Sequence, residues 1–318
     1  MASERTRDGA AGPTTAAGPT TAAGPTTAAG HSVPGSAGST AGAPGNQSEK
    51  RHDPVIRLCG AELSFGERTL WSGLDLDVRP GEYLAVLGSN GTGKTSLLKV
   101  LLGLLPLTAG TVSVNGVRPR TAASRVGYVP QQRGFPERTP LRARDLVAQG
   151  VDGHRWGMRL RSRRVHRRVD ELLERVGATD YAQAPVGLLS GGEQQRLRIA
   201  QALAAEPTVM LCDEALLSLD LRHQHVVSEL VHEQRERTGC AVVFVTHDVN
   251  PIIEHVDRIL YLANGSFRIG TPDEVLRSDV LTELYGSPIE VLRANGRILV
   301  AGSPDSAHHT DSPEEIVP

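Results

Sequence analysis

A glycine-rich loop occupies residues 88–95 and reads Gly88-Ser89-Asn90-Gly91-Thr92-Gly93-Lys94-Thr95. An apolar strand is predicted directly before it, from Glu82 to Leu87, and leucines recur at helical spacing directly after it, from Lys94 to Leu105. Glycine permits backbone angles that are closed to other residues, so main-chain N–H groups in such a loop can surround a phosphate. The following helix presents its positive end to the same anion. The loop therefore predicts a nucleotide triphosphate site rather than a turn that only caps a helix.

Two side chains of this loop have specific expected roles. Lys94 is expected to reach the β- and γ-phosphates, and the Thr95 hydroxyl is expected to bind Mg²⁺. The other candidate nucleotide contacts in this segment are Gly88, Ser89, Asn90, Gly91, Thr92, Gly93 and Ser96.

A second candidate segment is an apolar strand that begins at Val209 and ends in two carboxylates, Asp213 and Glu214. Asp213 can hold Mg²⁺ through water, and Glu214 can then orient and deprotonate the attacking water. Alone, the segment would be an ordinary strand followed by a polar loop. Because it occurs together with the phosphate loop, a catalytic role is the better interpretation.

The pattern of apolar residues predicts a sheet covered by helices. Nearly all-apolar runs at Val209–Cys212 and Ala241–Val245 are typical of strands buried on both faces of a parallel sheet, with a helix between them at Leu221–Arg237. Alternation in Val55–Leu58 and Leu74–Val78 predicts half-buried antiparallel strands.

A mostly helical insertion is predicted between about residues 136 and 188, where strand signals stop and residues 142–149 and 165–176 have helical patterns. Two hairpins are predicted after it, at residues 258–270 and 289–300, with two short helices between them. Each hairpin has an Asn-Gly pair at its turn, which is a strong hairpin signal.

Composition and charge exclude several classes of protein. The formal net charge of −2 over 318 residues argues against a dedicated nucleic-acid-binding protein. Three widely spaced cysteines, Cys59, Cys212 and Cys240, fit a reducing cytosol better than a zinc site or a disulfide framework. No apolar run approaches the ~20 residues that span a bilayer, so a role at a membrane is expected to require a partner.

The first fifty or so residues differ in composition from the rest. The unit Gly-Pro-Thr-Thr-Ala-Ala repeats three times from Gly12 to Ala29, and large apolar side chains are almost missing there. Such a segment cannot offset the entropy lost on ordering, so residues 1–53 are predicted to be a disordered tail, and residues 304–318 a second one.

The run Leu189-Ser190-Gly191-Gly192-Glu193-Gln194-Gln195-Arg196 resembles the signature of the ABC ATPase family, LSGGQ or LSGGE followed by a helix. Alone, it would fit a helix N-cap with a flexible loop. The order and spacing of the other motifs match the family over roughly residues 55 to 285. The resemblance implies an α/β fold with a P-loop NTPase (RecA-like) core, an antiparallel β subdomain and an ABC-type helical subdomain. The implied domain bounds are 54–285 for the ATPase domain, about 136–189 for its helical subdomain and 286–303 for a C-terminal hairpin extension.

Further site residues follow from the same resemblance. Gln131, at the end of Gly127-Tyr128-Val129-Pro130-Gln131, matches the glutamine that contacts Mg²⁺ or water, although Gln132 beside it leaves a one-residue ambiguity. His247 matches the switch histidine at the γ-phosphate. Asp220, in Ser218-Leu219-Asp220, matches the loop that links two sites across a dimer. Phe65 matches the aromatic that stacks on adenine, with a strand core residue as the alternative.

The resemblance also implies how the protein works. Two ATP molecules lie between two copies of the chain, and Ser190, Gly191 and Gly192 act in trans on the partner's γ-phosphate. The chain is then an active, Mg²⁺-dependent ATPase and a homodimer on the cytoplasmic face of the cell membrane. It binds an integral-membrane permease and serves an extracytoplasmic solute-binding protein indirectly. Ala215 replaces the usual proline and Gly187-Leu188 lacks the common acidic residue, but neither change removes a catalytic group.

The transported substrate is suggested only by likeness. The helical insertion and the run Leu284–Val291, with the hairpin after it, resemble ATPases of zinc and manganese importers. The cargo metal has no evident site, because His223 and His225 are two apart on a predicted helix and cannot share one face. An importer of iron chelates or haem is an alternative. A soluble ABC ATPase of DNA repair or translation is disfavoured by the single cassette without sustained heptads, and a binding-only module by the intact catalytic residues.

Seven arginines lie between Arg155 and Arg168 without an acidic residue among them. A solvated helix face is the simple interpretation of this run. Contact with anionic lipid headgroups or with the permease is the alternative.

Overall fold

The computed structural model describes residues 53–131, 134–152, 162–217 and 219–302. The strands are β1 Ile56–Phe65, β2 Arg68–Val78, β3 Tyr83–Gly88, β4 Ala109–Val114, β5 Val126–Val129, β6 Val209–Asp213, β7 Ala241–Val245, β8 Arg258–Ala263, β9 Ser266–Gly270, β10 Glu290–Ala294 and β11 Arg297–Ala301. The helices are α1 Lys94–Leu101, α2 Pro119–Ala122, α3 Ala143–Asp152, α4 Arg163–Arg175, α5 Gly191–Leu203, α6 Leu221–Thr238, α7 Pro272–Val275 and α8 Ser278–Tyr285. Residues 1–52 and 303–318, which hold the predicted tails, lie outside this range, as do Gln132 and Ser218.

The central sheet has six strands in the order β5-β6-β7-β3-β8-β9. The first five run parallel and β9 pairs antiparallel with β8. Every residue of β6 and β7 is buried, in agreement with their nearly all-apolar sequences. Because β3, β6 and β7 are parallel, the loops that follow them lie at the same edge of the sheet. The predicted α/β core is therefore confirmed.

A separate three-stranded antiparallel sheet has the order β2-β1-β4. Its β1–β2 pair confirms the antiparallel strands predicted from alternation. Trp71 from β2 is fully buried and packs with Leu97 and Leu98 of α1 in a core that continues onto one face of the central sheet. This packing fixes the helix that follows the phosphate loop.

The other face of the central sheet packs against α3, α4, α5 and α6 in a second apolar core. Helices α3 and α4 lie within the segment predicted to be a helical insertion. In α4, Arg168 lies 3.6 Å from Glu171 and 3.3 Å from Glu206, so this end of the arginine run is ion-paired. Arg155, Arg159 and Arg161 lie outside the described residues.

The helix after the phosphate loop is shorter than predicted, because α1 ends at Leu101 and not at Leu105. Gly103 has a left-handed φ of 70°. The N–H of Leu104 then turns back to the Lys99 carbonyl at 2.8 Å, which ends the helix as a Schellman-type turn does. The leucine pattern continues beyond the helix because Leu102 and Leu105 pack against the same core, whereas Leu104 is exposed.

The C-terminal part confirms both predicted hairpins. Strands β8–β9 and β10–β11 pair antiparallel, and α7 and α8 lie between the two hairpins. Asn295 and Gly296 have φ of 51° and 74°, as a tight hairpin turn requires. Across the described ranges, no helix is long and apolar enough to cross a membrane.

Candidate active site

The phosphate loop joins the end of β3 to the start of α1 and wraps around the Lys94 ammonium. Lys94 is only 5 % exposed, and its Nζ donates to the carbonyl oxygens of Gly88 at 2.7 Å and Ser89 at 2.8 Å. Gly93 has a φ of 97°, and a Cβ there would lie 2.8 Å from the buried Trp71 indole nitrogen. Gly93 also caps α1 without a side-chain hydrogen bond, and no acidic residue lies in the first turn. The main-chain N–H groups at this helix start are therefore suited to an anion.

Asp213 and Thr95 bring two oxygen groups together beside the loop. The Thr95 hydroxyl donates to Asp213 Oδ1 at 3.1 Å, and the Tyr128 hydroxyl lies 3.4 Å from Oδ2. Burial, and then the charge of Glu214, raise the pKa of Asp213. Burial and Asp213 raise the pKa of Tyr128 to about 12, so Tyr128 stays a neutral donor. A carboxylate and a hydroxyl converging on a half-buried point fit Mg²⁺, which takes few protein ligands and completes its shell with water and phosphate oxygens.

Glu214 is held in a strained and heavily contacted position. Its φ is 48°, which is uncommon for a residue other than glycine. Gln131 Nε2 donates to Oε2 at 2.5 Å, and His247 Nε2 lies 2.5 Å from Oε1. The three residues follow β5, β6 and β7, so three strand ends bring an amide, a carboxylate and an imidazole together. Strain of this kind is concentrated at functional sites.

The signature segment lies at the start of α5 and is turned outward. Ser190 and Glu193 form a capping box, in which Glu193 N donates to the Ser190 hydroxyl oxygen at 3.3 Å and Ser190 N donates to Glu193 Oε2 at 2.8 Å. The Ser190 hydroxyl also donates to Glu193 Oε2 at 2.7 Å. Ser190 and Gly191 are exposed. Among the described residues, no hydrogen bond joins Ser190 to the phosphate loop. The described part of the chain thus shows no direct link between the signature and the phosphate loop.

Gly192 packs against His223, a contact that the sequence patterns do not predict. A Cβ on Gly192 would lie 2.5 Å from the His223 ring, so glycine is needed there. The same ring is fixed by Asp220, which caps α6 and accepts from His223 N at 2.9 Å and from Nδ1 at 2.8 Å. These hydrogen bonds lower the pKa of Asp220. His223 thus connects the candidate dimer loop to the signature within one chain.

Phe65 ends β1 and is 51 % exposed, which excludes its alternative role as a strand core residue. It pairs across the turn with Arg68, whose Nη2 donates to the Gly91 carbonyl at 3.0 Å. The hydrogen bond from Arg68 holds this turn beside the phosphate loop. An exposed aromatic ring is therefore available next to the predicted nucleotide site.

Replacing Asp213 by Asn should stabilise the nucleotide-free chain and abolish Mg²⁺-dependent hydrolysis. The pKa of Asp213 is higher in the folded chain than in the unfolded chain. The stability that the protonated carboxyl contributes is therefore lost as the pH rises through the raised pKa. At pH 7 the buried charge then opposes folding, and removing it should raise Tm by about 1–4 °C. Thermal unfolding without Mg²⁺ and nucleotide measures this. Asp279→Asn is the control, because hydrogen bonds from Arg277 lower the pKa of that exposed carboxyl and no rise is expected; an unchanged Tm for Asp213→Asn would contradict the prediction.

The fold and the phosphate loop define a P-loop nucleotide-binding protein, and comparison with known proteins narrows the class. The family model described as ABC transporter matches residues 71–217. The zinc import ATP-binding protein ZnuC of Halorhodospira halophila is 34% identical over 74% of this chain and 84% of its own length. The manganese transport system ATP-binding protein MntB of Halalkalibacterium halodurans is 28% identical over 78% and 98%. The hemin import ATP-binding protein HmuV of Streptomyces coelicolor is 35% identical over 73% and 83%.

Solved structures give the same result. A metal-chelate type ABC transporter in an inward-facing conformation superposes with a TM-score of 0.67 at 26% identity, over 78% of this chain and 96% of that chain. A dimeric, post-hydrolysis state of the ATP-binding cassette MJ0796 with ADP and Pi has a TM-score of 0.59 at 26% identity, over 68% and 98%. This chain belongs to the ABC transporter family, as an ATP-binding subunit. It is an ATPase whose hydrolysis is coupled to transport.

Proposed function

We propose that this chain powers an ABC importer for a divalent transition metal such as zinc or manganese. The observation that supports the cargo assignment is the similarity to ZnuC and MntB over 74% and 78% of this chain. Haem or an iron chelate is the second candidate, because HmuV is equally similar. No cluster of three His, Cys, Asp or Glu side chains suited to a metal occurs in the described part of the chain. The cargo is therefore assigned to the partner subunits rather than to this chain.

The proposed active site is completed by a second copy of the chain. The exposed Ser190 and Gly191, together with the buried Gly192 that follows them, would face the partner's γ-phosphate, and Asp220 would connect the two sites. The MJ0796 cassette supports this arrangement because its structure with ADP and Pi is dimeric. The exposed position of Ser190 and Gly191 at the start of α5 is also what a split site requires.

Within one chain, each residue has a proposed part in hydrolysis. Lys94 and the N–H groups of residues 88–96 bind the phosphates, and the exposed ring of Phe65 stacks on adenine. Thr95, Asp213 and Gln131 would hold Mg²⁺, which neutralises phosphate charge when bound. Glu214 orients and deprotonates the attacking water. His247, 2.5 Å from Glu214, fixes that carboxylate and is positioned to contact the γ-phosphate.

The proposed partners are an integral-membrane permease and, through it, an extracytoplasmic solute-binding protein. The position at the cytoplasmic face of the membrane follows from the role of ATP-binding subunits in this family. Nucleic acid is not a proposed partner, because a formal net charge of −2 is not typical of a dedicated nucleic-acid-binding protein.

Growth under metal limitation tests the cargo. A strain of the source cell without this chain should fail to grow when zinc or manganese is chelated, and should grow again when the missing metal is added. Wild-type chain should restore growth, and the Glu214→Gln variant should not. A parallel culture limited for haem-iron is the control. A growth defect confined to the haem culture would replace the metal assignment with haem, and a defect in none of the cultures would contradict both.

A further inference from the structure

The C-terminal hairpin β10–β11 contacts the loop that carries His247. Asn250 Nδ2 donates to the Ile298 carbonyl oxygen at 2.9 Å, and Asn250 Oδ1 accepts from Ile298 N at 2.7 Å. The side-chain amide thus exchanges the same two hydrogen bonds that a residue exchanges with a neighbouring strand. The His247 loop is therefore joined to a segment 48 residues further along the chain.

A short series of hydrogen bonds continues from Asn250 to both neighbours of His247. Asp248 Oδ1 accepts from Asn250 N at 2.9 Å and from Asn250 Nδ2 at 2.7 Å. Asp248 N donates to Thr246 Oγ1 at 3.2 Å, and that hydroxyl donates to the Asp248 carbonyl at 2.8 Å. The backbone on either side of His247 is consequently fixed relative to Asn250.

Apolar packing supports the same contact. Ile298 from β11 is buried in one core with Val249 and Ile252 from the loop. The hairpin has its own attachments to α7 and α8, where Val291 N donates to Ser278 Oγ at 2.9 Å and Arg293 lies 2.8 Å from Asp273. The hairpin is thus held independently of the loop and can act as a support for it.

Asparagine is well matched to this position because all its polar groups are used. Its oxygen accepts from Ile298 N, and its amide nitrogen donates to the Ile298 carbonyl and to Asp248. Aspartate would lose both donors and would place a second negative charge beside Asp248. Glutamine keeps the groups but adds a methylene, so it can restore the contact only in part.

We propose that Asn250 is a positioning residue for His247 and that β10–β11 is the support against which it holds the loop. The proposal rests on the proposed role of His247 at the γ-phosphate. Asn250 does not touch Glu214 or the phosphate loop in the described contacts, so it acts through the orientation of the imidazole. A small displacement of a correctly oriented group can cost up to about a hundredfold in rate.

Steady-state hydrolysis by Asn250→Ala tests the proposal. We expect kcat to fall about tenfold and the KM for ATP to change by less than about twofold, because binding does not need the oriented imidazole. The kcat of Asn250→Gln should lie between the kcat of the Ala variant and that of the wild type. A general loss of structure would not produce this partial rescue. Leu299→Ala is the matched control, since Leu299 lies on the exposed face of the same hairpin, next to Ile298. Wild-type kcat in the Ala variant, or in Asn250→Asp if the Ala variant does not fold, together with a strong loss in His247→Ala, would overturn the proposal.

A double-mutant cycle separates this proposal from the role of His247. In a His247→Ala background, Asn250→Ala should change kcat by less than about twofold, because no imidazole is left to orient. A further tenfold loss there would mean that Asn250 acts by another route and would overturn the proposal. Undiminished hydrolysis by His247→Ala alone would instead contradict the proposed role of His247.

Discussion

Glu214→Gln is expected to abolish ATP turnover while ATP binding remains, so that an ATP-bound dimer accumulates. The amide keeps the size of the side chain and can still accept from Gln131 through its oxygen. It cannot take a proton from water, and general-base catalysis typically contributes about 10²–10⁴-fold. Since release of the dimer is proposed to require hydrolysis, the two chains should stay joined by unhydrolysed ATP.

Three measurements check this expectation. The hydrolysis rate is measured at saturating Mg²⁺ and ATP, nucleotide affinity by calorimetry, and dimer formation by size-exclusion chromatography with ATP. The matched control is Glu206→Gln, because Glu206 also has a positive φ, of 49°, and a carboxylate in contact with a basic side chain. It lies away from the site and is 76% exposed, so wild-type turnover is expected. Retained hydrolysis by Glu214→Gln would contradict its role as the base.

The parts of the fold that sequence predicted are those encoded by local patterns. The apolar runs of β6 and β7 and the Asn-Gly turns need only neighbouring residues for their recognition. Strands β4 and β5 were not predicted, because β4 is mostly exposed and β5 has only four residues. Pairing with β1 and β6 defines them, and pairing between distant segments leaves little local signal.

The residues of the candidate site also fall into two groups, those that local motifs predict and those that depend on packing. Lys94, Asp213 and Glu214 were evident because each lies in a motif of fixed local spacing. Tyr128 beside Asp213 and His223 beneath Gly192 were not evident as contacts, because they depend on how distant elements pack. Tyr128 belongs to the motif Gly127–Gln131, in which Gln131 is a predicted magnesium ligand. A hydroxyl close to that ligand in sequence is the signal that could have indicated its place in the site. For Asn250 the sequence contains no such signal, because its hydrogen-bond partner is the backbone of the hairpin β10–β11.

Two inactive variants should restore activity when they are mixed, if the site is divided between chains. Lys94→Ala removes the buried ammonium that is proposed to contact the phosphates. Gly191→Asp places a carboxylate at the exposed start of α5, where it suits the helix dipole but repels a partner's γ-phosphate. In a mixed dimer, the intact Lys94 of one chain faces the intact signature of the other. One complete site is thereby formed from two defective chains.

The expected size of the recovery follows from random pairing. Half of the dimers in an equal mixture are mixed, and each has one intact site of two, so activity should approach about one quarter of wild type. Each variant alone should remain inactive, which a hydrolysis assay at constant total protein establishes. If phosphate loop and signature acted within one chain, no arrangement of the two variants would contain a complete site. An inactive mixture in which cross-linking detects mixed dimers would therefore contradict the split site, and the exposed position of Ser190 and Gly191 would need another explanation.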